Sequence, residues 1–224
     1  MGKQLIIDHN HPLYRAKWRA QTEGNKWNGA FLYSKEIVKN IIPNVKTDRP
    51  WVTVRVEGKC FDRAIVFIHN NLNSAERYDY LKNYKDLILV CGVPETMEKV
   101  AHLGTPIYLP LSIDVEYVKQ FAVPKEERHG SVYVGRPVKR KYTDVTIPDS
   151  VDIIEGVKRQ DMLPMMAKYE TVYAVGRTAI EAKALGCKLK AYDPRFPKVS
   201  LWKVLDNKDA AKILQEELDK IDGK

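Results

Sequence analysis

Short apolar runs alternate with stretches of helical periodicity along almost the whole chain, and that alternation constrains the fold more than any single motif. A strand that is apolar on both faces must be covered on both faces. A helix after each strand supplies the cover, which points to α/β layering around mainly parallel sheets. Gln4–Asp8 reads as a first strand and 9–33 as a long polar and aromatic loop. Ser34 is placed as the N-cap of a helix striped by Ile37, Val38, Ile41 and Ile42 and stopped by Pro43. Trp51–Val56, Ala64–His69 and Leu87–Cys91 read as strands, with a helical stretch at Tyr78–Tyr84. Pro94 opens a helix that Gly104 ends, and Pro106–Leu111 is again extended.

Residues 121–130 are polar and contain Pro124 and Gly130, so they read as a linker between a first domain, 1–120, and a second, 131–224. With 224 residues, two small domains of about 110 residues each are within the ordinary range. The second domain restarts the alternation with strands at Ser131–Val134 and Val151–Ile154. A helix at Asp161–Tyr169 follows, with Pro164 tolerated in its first turn. Strand Thr171–Val175, helix Thr178–Leu185 closed by Gly186, and strand Lys188–Tyr192 come next. A last helix, Lys208–Ile221, carries Ala210, Leu214, Leu218 and Ile221 at helical spacing and is expected to pack on one of the lobes.

Charge narrows the partners without choosing one. Lys and Arg outnumber Asp and Glu by 37 to 29, a net charge of +8, which favours nucleotides, nucleic acid or an anionic membrane surface. Four of the six residues from Arg136 to Lys141 are basic. No apolar run approaches the roughly 20 residues that span a bilayer, and the start of the chain lacks the apolar core of a signal peptide; a cytoplasmic location is expected. Cys60, Cys91 and Cys187 have no metal-ligand spacing and are expected to be buried free thiols.

Four places could carry chemistry. In Val175-Gly176-Arg177-Thr178-Ala179-Ile180-Glu181-Ala182 a strand ends at a glycine and a helix begins. A helix N-terminus presents unpaired N–H groups and partial positive charge, which suits phosphate. Arg177 adds a cation at that mouth, and Glu181 could accept hydrogen bonds from ribose hydroxyls. The same residues also fit a capping box, with Thr178 and Glu181 satisfying the helix's own N–H groups. Tyr133-Val134-Gly135-Arg136 with Lys141 places two cations beyond a strand end, where they could neutralise a departing diphosphate; an ordinary basic loop reads the same way. Gly29, in the turn before the first helix, would let a ligand approach the backbone, or is a plain loop glycine. His69 ends an apolar strand, where it faces a ligand crevice or serves as a structural hydrogen-bonder.

These elements occur in an order that resembles the retaining GT-B glycosyltransferases, in particular glycosyltransferase family four. The family's Gly-Arg-x-x-x-x-Lys element is similar to Gly135-Arg136 with Lys141, and its Glu-x-Phe-Gly-x-x-x-x-Glu-Ala element to Tyr173–Ala182, matching at Gly176, Glu181 and Ala182. Ile154-Glu155-Gly156-Val157, Leu163 and Tyr169 resemble the strand, turn and helix beside the nucleotide base. Asn28-Gly29-Ala30 and Ile68-His69 resemble the glycine loop and the histidine near the transferred sugar. Leu87–Cys91 through Ile107–Pro110, with Ile113-Asp114, resembles the approach to the interdomain linker.

The resemblance implies two Rossmann-like lobes around an interlobe cleft, and a transferase that moves a sugar from a nucleotide-diphosphate donor with retention, without a metal or other cofactor. Arg136 and Lys141 would stabilise the leaving diphosphate, Gly176, Arg177 and Thr178 would line the phosphate mouth, and Glu181 would hold the ribose. Gly156 and Val157 would lie by the base, and Gly29 and His69 by the sugar. The acceptor is left open; the basic charge favours an anionic one, whether DNA, a polysaccharide or a lipid-linked intermediate. Tyr173 departs from the pattern by standing where the family has its first glutamate, and the chain is short for the family. The alternative is a glycosyltransferase-like protein without activity that binds nucleotide or nucleic acid.

Overall fold

The computed structural model describes residues 33–34, 36–53, 60–68, 75–135, 147–190, 192, 199 and 202–223, with backbone only at 75–77. The expected first strand at Gln4–Asp8 and the candidate residues Gly29, His69, Arg136 and Lys141 lie outside them. The chain divides into two compact units, Met1–Pro110 with Asn207–Lys224, and Leu111–Asp206. Each contains a four-stranded parallel sheet, so the α/β expectation holds.

The first sheet has strands β1 (Trp51–Val52), β2 (Ile65–Ile68), β3 (Ile88–Cys91) and β4 (Thr105–Tyr108), adjacent in chain order. Every residue of β2 and β3 is buried, as continuous apolar runs in a parallel sheet require. One face packs Val66, Ile68, Leu89 and Cys91 against Tyr78, Leu81, Val100 and Leu103. Tyr78 and Leu81 belong to a 3-10 helix, Ala75–Asn83, where sequence periodicity pointed to a helix at 78–84. Pro94 starts helix α1 (Pro94–Val100) from its first turn, where a missing N–H costs nothing. Ser34 is not the expected N-cap: its hydroxyl donates to the Thr53 carbonyl, 2.8 Å away, and the turns that follow widen into a π-helix, Ile37–Ile41.

The second unit opens with helix α2 (Val115–Lys119), capped by Asp114, whose carboxylate accepts from the Tyr117 N–H at 2.9 Å. Strands β5 (His129–Gly135), β6 (Asp152–Glu155), β7 (Tyr169–Tyr173) and β8 (Lys188–Lys190) follow, with helix α3 (Arg159–Met166) after β6 and α4 (Arg177–Ala184) after β7. Helix α3 starts two residues before the expected Asp161, which puts Pro164 inside the helix, and it stops before Tyr169, which begins β7. Residues 121–130 are not the boundary that their composition suggested. Arg128 donates to the carbonyls of Val123, Leu185 and Gly186, which ties this segment to the end of α4. A guanidinium there also complements the helix dipole and satisfies last-turn carbonyls.

The unit closes where it opened. Ile113 pairs with Asp206, the Ile113 N–H donates to Leu205 O at 3.0 Å, and the Val115 N–H reaches the Asp206 carboxylate at 3.2 Å. Entry and exit are therefore neighbours, and the last helix, α5 (Asn207–Asp222), joins the first unit rather than the second. It buries Ala210, Ala211, Leu214 and Leu218 and lies against Ile37–Ile41 and Ile42–Asn44. Arg49, buried, fastens its end by donating to Asp222 at 2.9 Å. All three cysteines are free and buried, as expected. Among the described residues no helix is long and apolar enough to cross a membrane.

Candidate functional site

The second sheet has the order β6-β5-β7-β8. The chain leaves β5 to one side for β6 and returns past it to β7 on the other. The strand order therefore reverses between β5 and β7, and in open parallel sheets such a reversal is where ligands bind beyond the carboxyl ends of the strands. Gly135 ends β5, and Gly176 follows β7. The strands of the first sheet run in sequence, and among the described residues it has no such reversal.

Gly176 is the N-cap of α4, at φ 65° and ψ −138°. Side chains avoid that backbone region, and a Cβ there would meet nothing within 4 Å, so glycine is required by conformation alone. Gly156, at φ 70°, turns the chain out of β6 with similarly open surroundings; it is exposed, and Val157 beside it is half-buried. Gly135 differs. A Cβ on it would lie 2.6 Å from Cζ of Tyr133 and closer still to the phenol oxygen. Tyr133 is fully buried and packs edge-on against Tyr192, with centroids 5.0 Å apart. The close approach at Gly135 is thus made by a neighbouring ring.

The first residues of α3 and α4 are both arginines, and they meet. Arg159 Nε donates to Glu181 Oε1 at 2.7 Å and Arg177 Nε to the same oxygen at 3.0 Å. Glu181 is only 2% exposed, Arg177 9% and Arg159 19%. The capping box does not form: Gly176 is the N-cap, Thr178 sits one residue inside the helix, half-buried, and the Glu181 carboxylate serves the arginines. A cation at a helix N-terminus opposes the helix dipole, and here two such cations share one buried carboxylate. Two guanidiniums and one carboxylate leave a formal charge of +1, to which both helix starts add partial positive charge, so the arrangement suits an anion. The Arg159 guanidinium also lies over the Tyr117 ring, 5.1 Å from its centroid, which links α2 to the cluster.

Sequence reasoning named Arg177, Thr178 and Glu181 but missed Arg159. The sequence reading began that helix at Asp161, so Arg159 lay outside it; only the observed start at Arg159 puts a cation against the helix dipole and calls for a partner from another element. Tyr173, at the end of β7, is half-buried; it pairs in register with Lys190, whose ammonium lies 5.5 Å from the ring centroid. Lys183, on α4, donates to the carbonyls of Val199 and Trp202, each at 2.7 Å, and burial lowers its pKa. Among the described residues no His, Cys, Asp and Glu side chains gather as a metal site.

No protein-family model matches this chain, and no curated protein sequence does.

Proposed function

We propose that the chain is a glycosyltransferase of the GT-B type that takes a sugar from a nucleotide-diphosphate donor, acts in the cytoplasm and transfers to an anionic acceptor. The observation that carries this reading is the convergence of Arg177, Arg159 and Glu181 at the starts of two helices, beside the strand-order reversal of a parallel sheet. A diphosphate is the ligand that such a mouth takes, with Gly176 providing the turn and Arg177 and Thr178 the N–H groups. In this reading Glu181 accepts from ribose hydroxyls, and Gly156 with Val157 lines the base.

In this reading Arg136 and Lys141 neutralise the charge that develops on the leaving diphosphate, so the chemistry is electrostatic and needs no metal. His69 and Gly29 serve the transferred sugar. A second reading, a glycosyltransferase-like binder without activity, is favoured by Tyr173, since a phenol beside Lys190 replaces the carboxylate that the family directs at its sugar.

A thermal-shift panel of nucleoside diphosphates and nucleotide sugars tests the proposal. A ligand at 100 times its dissociation constant adds about 2.7 kcal/mol of stability. Stabilisation by one base series, with consumption of the nucleotide sugar that Arg136→Ala and Lys141→Ala abolish, supports the enzyme. Stabilisation without consumption supports a nucleotide binder, and silence across the panel removes the enzyme and favours a binder of nucleic acid.

A further inference from the structure

The two faces of the second sheet differ. Residues paired in register share a face, and successive residues of a strand alternate between faces. Val132, Val134, Ile154 and Val172 point to one side and are buried, and α3 and α4 lie against β7. On the other side His129, Lys188 and Lys190 are exposed, Tyr169 and Thr171 are half-buried, and Ile153 is 48% exposed. Among the described residues that side is closed at the carboxyl end, where Tyr133 packs with Val151 and Tyr192. Parallel sheets are normally covered on both faces, so an open face of aromatic and polar side chains calls for a partner.

What this face carries is ordered by strand. The inner strand β7 supplies Tyr169 and Tyr173, four residues and about 13 Å apart. Tyr169 donates its hydroxyl to Asp152 on β6 at 2.9 Å, so its ring reaches across β5 and lies along the sheet, 5.3 Å from the His129 ring. Over Tyr173 stands the Lys190 ammonium, 5.5 Å from the ring centroid. The last strand, β8, supplies Lys188 and Lys190, about 7 Å apart. Lys188 meets Glu170 at 2.6 Å in an exposed ion pair, which holds it only weakly in water. A column of rings beside a column of cations takes unpaired bases on the rings and backbone phosphates on the cations. A duplex keeps its base faces in its own stack and cannot use the rings. We propose that this open face binds single-stranded nucleic acid, with bases stacked on Tyr169 and Tyr173 and phosphates held by Lys188 and Lys190. It uses no residue from the starts of α3 and α4, and it stands whether or not the anion mouth takes a nucleotide sugar.

The test is fluorescence anisotropy of the whole chain with a labelled oligouridylate, an oligothymidylate and a DNA duplex of equal length. The single strands should bind about tenfold more tightly than the duplex, the equivalent of one stacked base. Tyr169→Leu should remove about that factor, whereas Tyr169→Phe, which keeps the ring and gives up only the Asp152 bond, should stay within about twofold of wild type. Replacing Lys188 and Lys190 together by Gln should flatten the logarithmic salt dependence by about 1.4, two phosphate contacts at about 0.7 each. Thermal unfolding checks each variant, and if Tyr169→Leu does not fold, the exposed lysine pair carries the test. The uridylate and thymidylate arms tell RNA from DNA, and a preference for either supports the proposal. Duplex bound as tightly as the single strands, equal loss in Tyr169→Phe and Tyr169→Leu, a salt slope that the lysine pair leaves unchanged, or no binding at all overturns it. So does an acidic polysaccharide that binds this face where every oligonucleotide fails.

Discussion

Replacing Arg49 by Met should destabilise the first unit by about 3 kcal/mol, because the buried arginine joins three separate segments and its loss leaves their acceptors unpaired. Its guanidinium donates to Asp222 Oδ1 at 2.9 Å from Nη2 and 3.2 Å from Nε, to Asp86 Oδ2 at 3.1 Å, and to the carbonyls of Asp86 and Arg63 at 3.0 and 3.3 Å. The side chain is 5% exposed, while Asp222 is 18% and Asp86 53% exposed. Burial by itself would lower the arginine's pKa, but the hydrogen bonds and charges of Asp222 and Asp86 outweigh it and raise the value. Breaking a fully buried pair costs about 3–5 kcal/mol, and the solvated Asp86 contributes little, which puts the expected loss at the lower end. Met keeps the apolar stem in place, so the loss reports the charge and its bonds. Urea unfolding followed by tryptophan fluorescence in a Trp202→Phe background observes the first unit, where Trp51 is fully buried. The amide protection of α5 should fall with stability, since Asp222 ends that helix. A loss under about 1 kcal/mol, or α5 protection unchanged in Arg49→Met, would mean that Arg49 does not hold these segments together.

Two glycines should fail for different reasons. Gly135→Ala should cost about 1–3 kcal/mol by overpacking against Tyr133, and Tyr133→Val should recover part of it in urea unfolding. Gly176→Ala should cost about 1–3 kcal/mol by backbone strain, with no relief from trimming any neighbour. Burial pushes the Cys60 thiol up to about 11 and the Cys91 thiol up to about 12, from an ordinary 9.0. Their contribution to stability is complete below pH 9 and is lost as pH rises through 11 and 12, because only the unfolded chain forms thiolate in that window. Alkylation at pH 8 should accordingly require unfolding, and rapid labelling of the native chain would contradict this burial.

The centre of the first sheet was legible because its strands are continuous apolar runs: Ile65–Ile68 and Ile88–Cys91 could only be buried on both faces. The boundary was not, since polarity, proline and glycine at 121–130 look the same whether a segment is free or pinned. Arg128 decides it through carbonyls some 57 residues away in sequence. The destination of α5 was equally hidden: its apolar stripe shows that it packs, while the partner depends on Ile113 meeting Asp206. At the site, the Thr178–Glu181 spacing supported both a cap and a ligand contact. Tertiary structure supplied a third answer, because Arg159 from another helix competes for the same oxygen. Gly135 shows the converse limit: a glycine marks a close approach, and its sequence neighbours do not say whether a ligand or a tyrosine ring makes it.

An anion mouth at the starts of α3 and α4 is open to amide chemical-shift mapping with inorganic pyrophosphate, whichever base or sugar the site takes. The largest shifts should fall on the backbone N–H groups of Arg177 and Thr178 and of Arg159 and Gln160, and Arg177→Met should weaken them together. Shifts centred elsewhere on the chain, or shifts at these residues that Arg177→Met leaves unchanged, would contradict it.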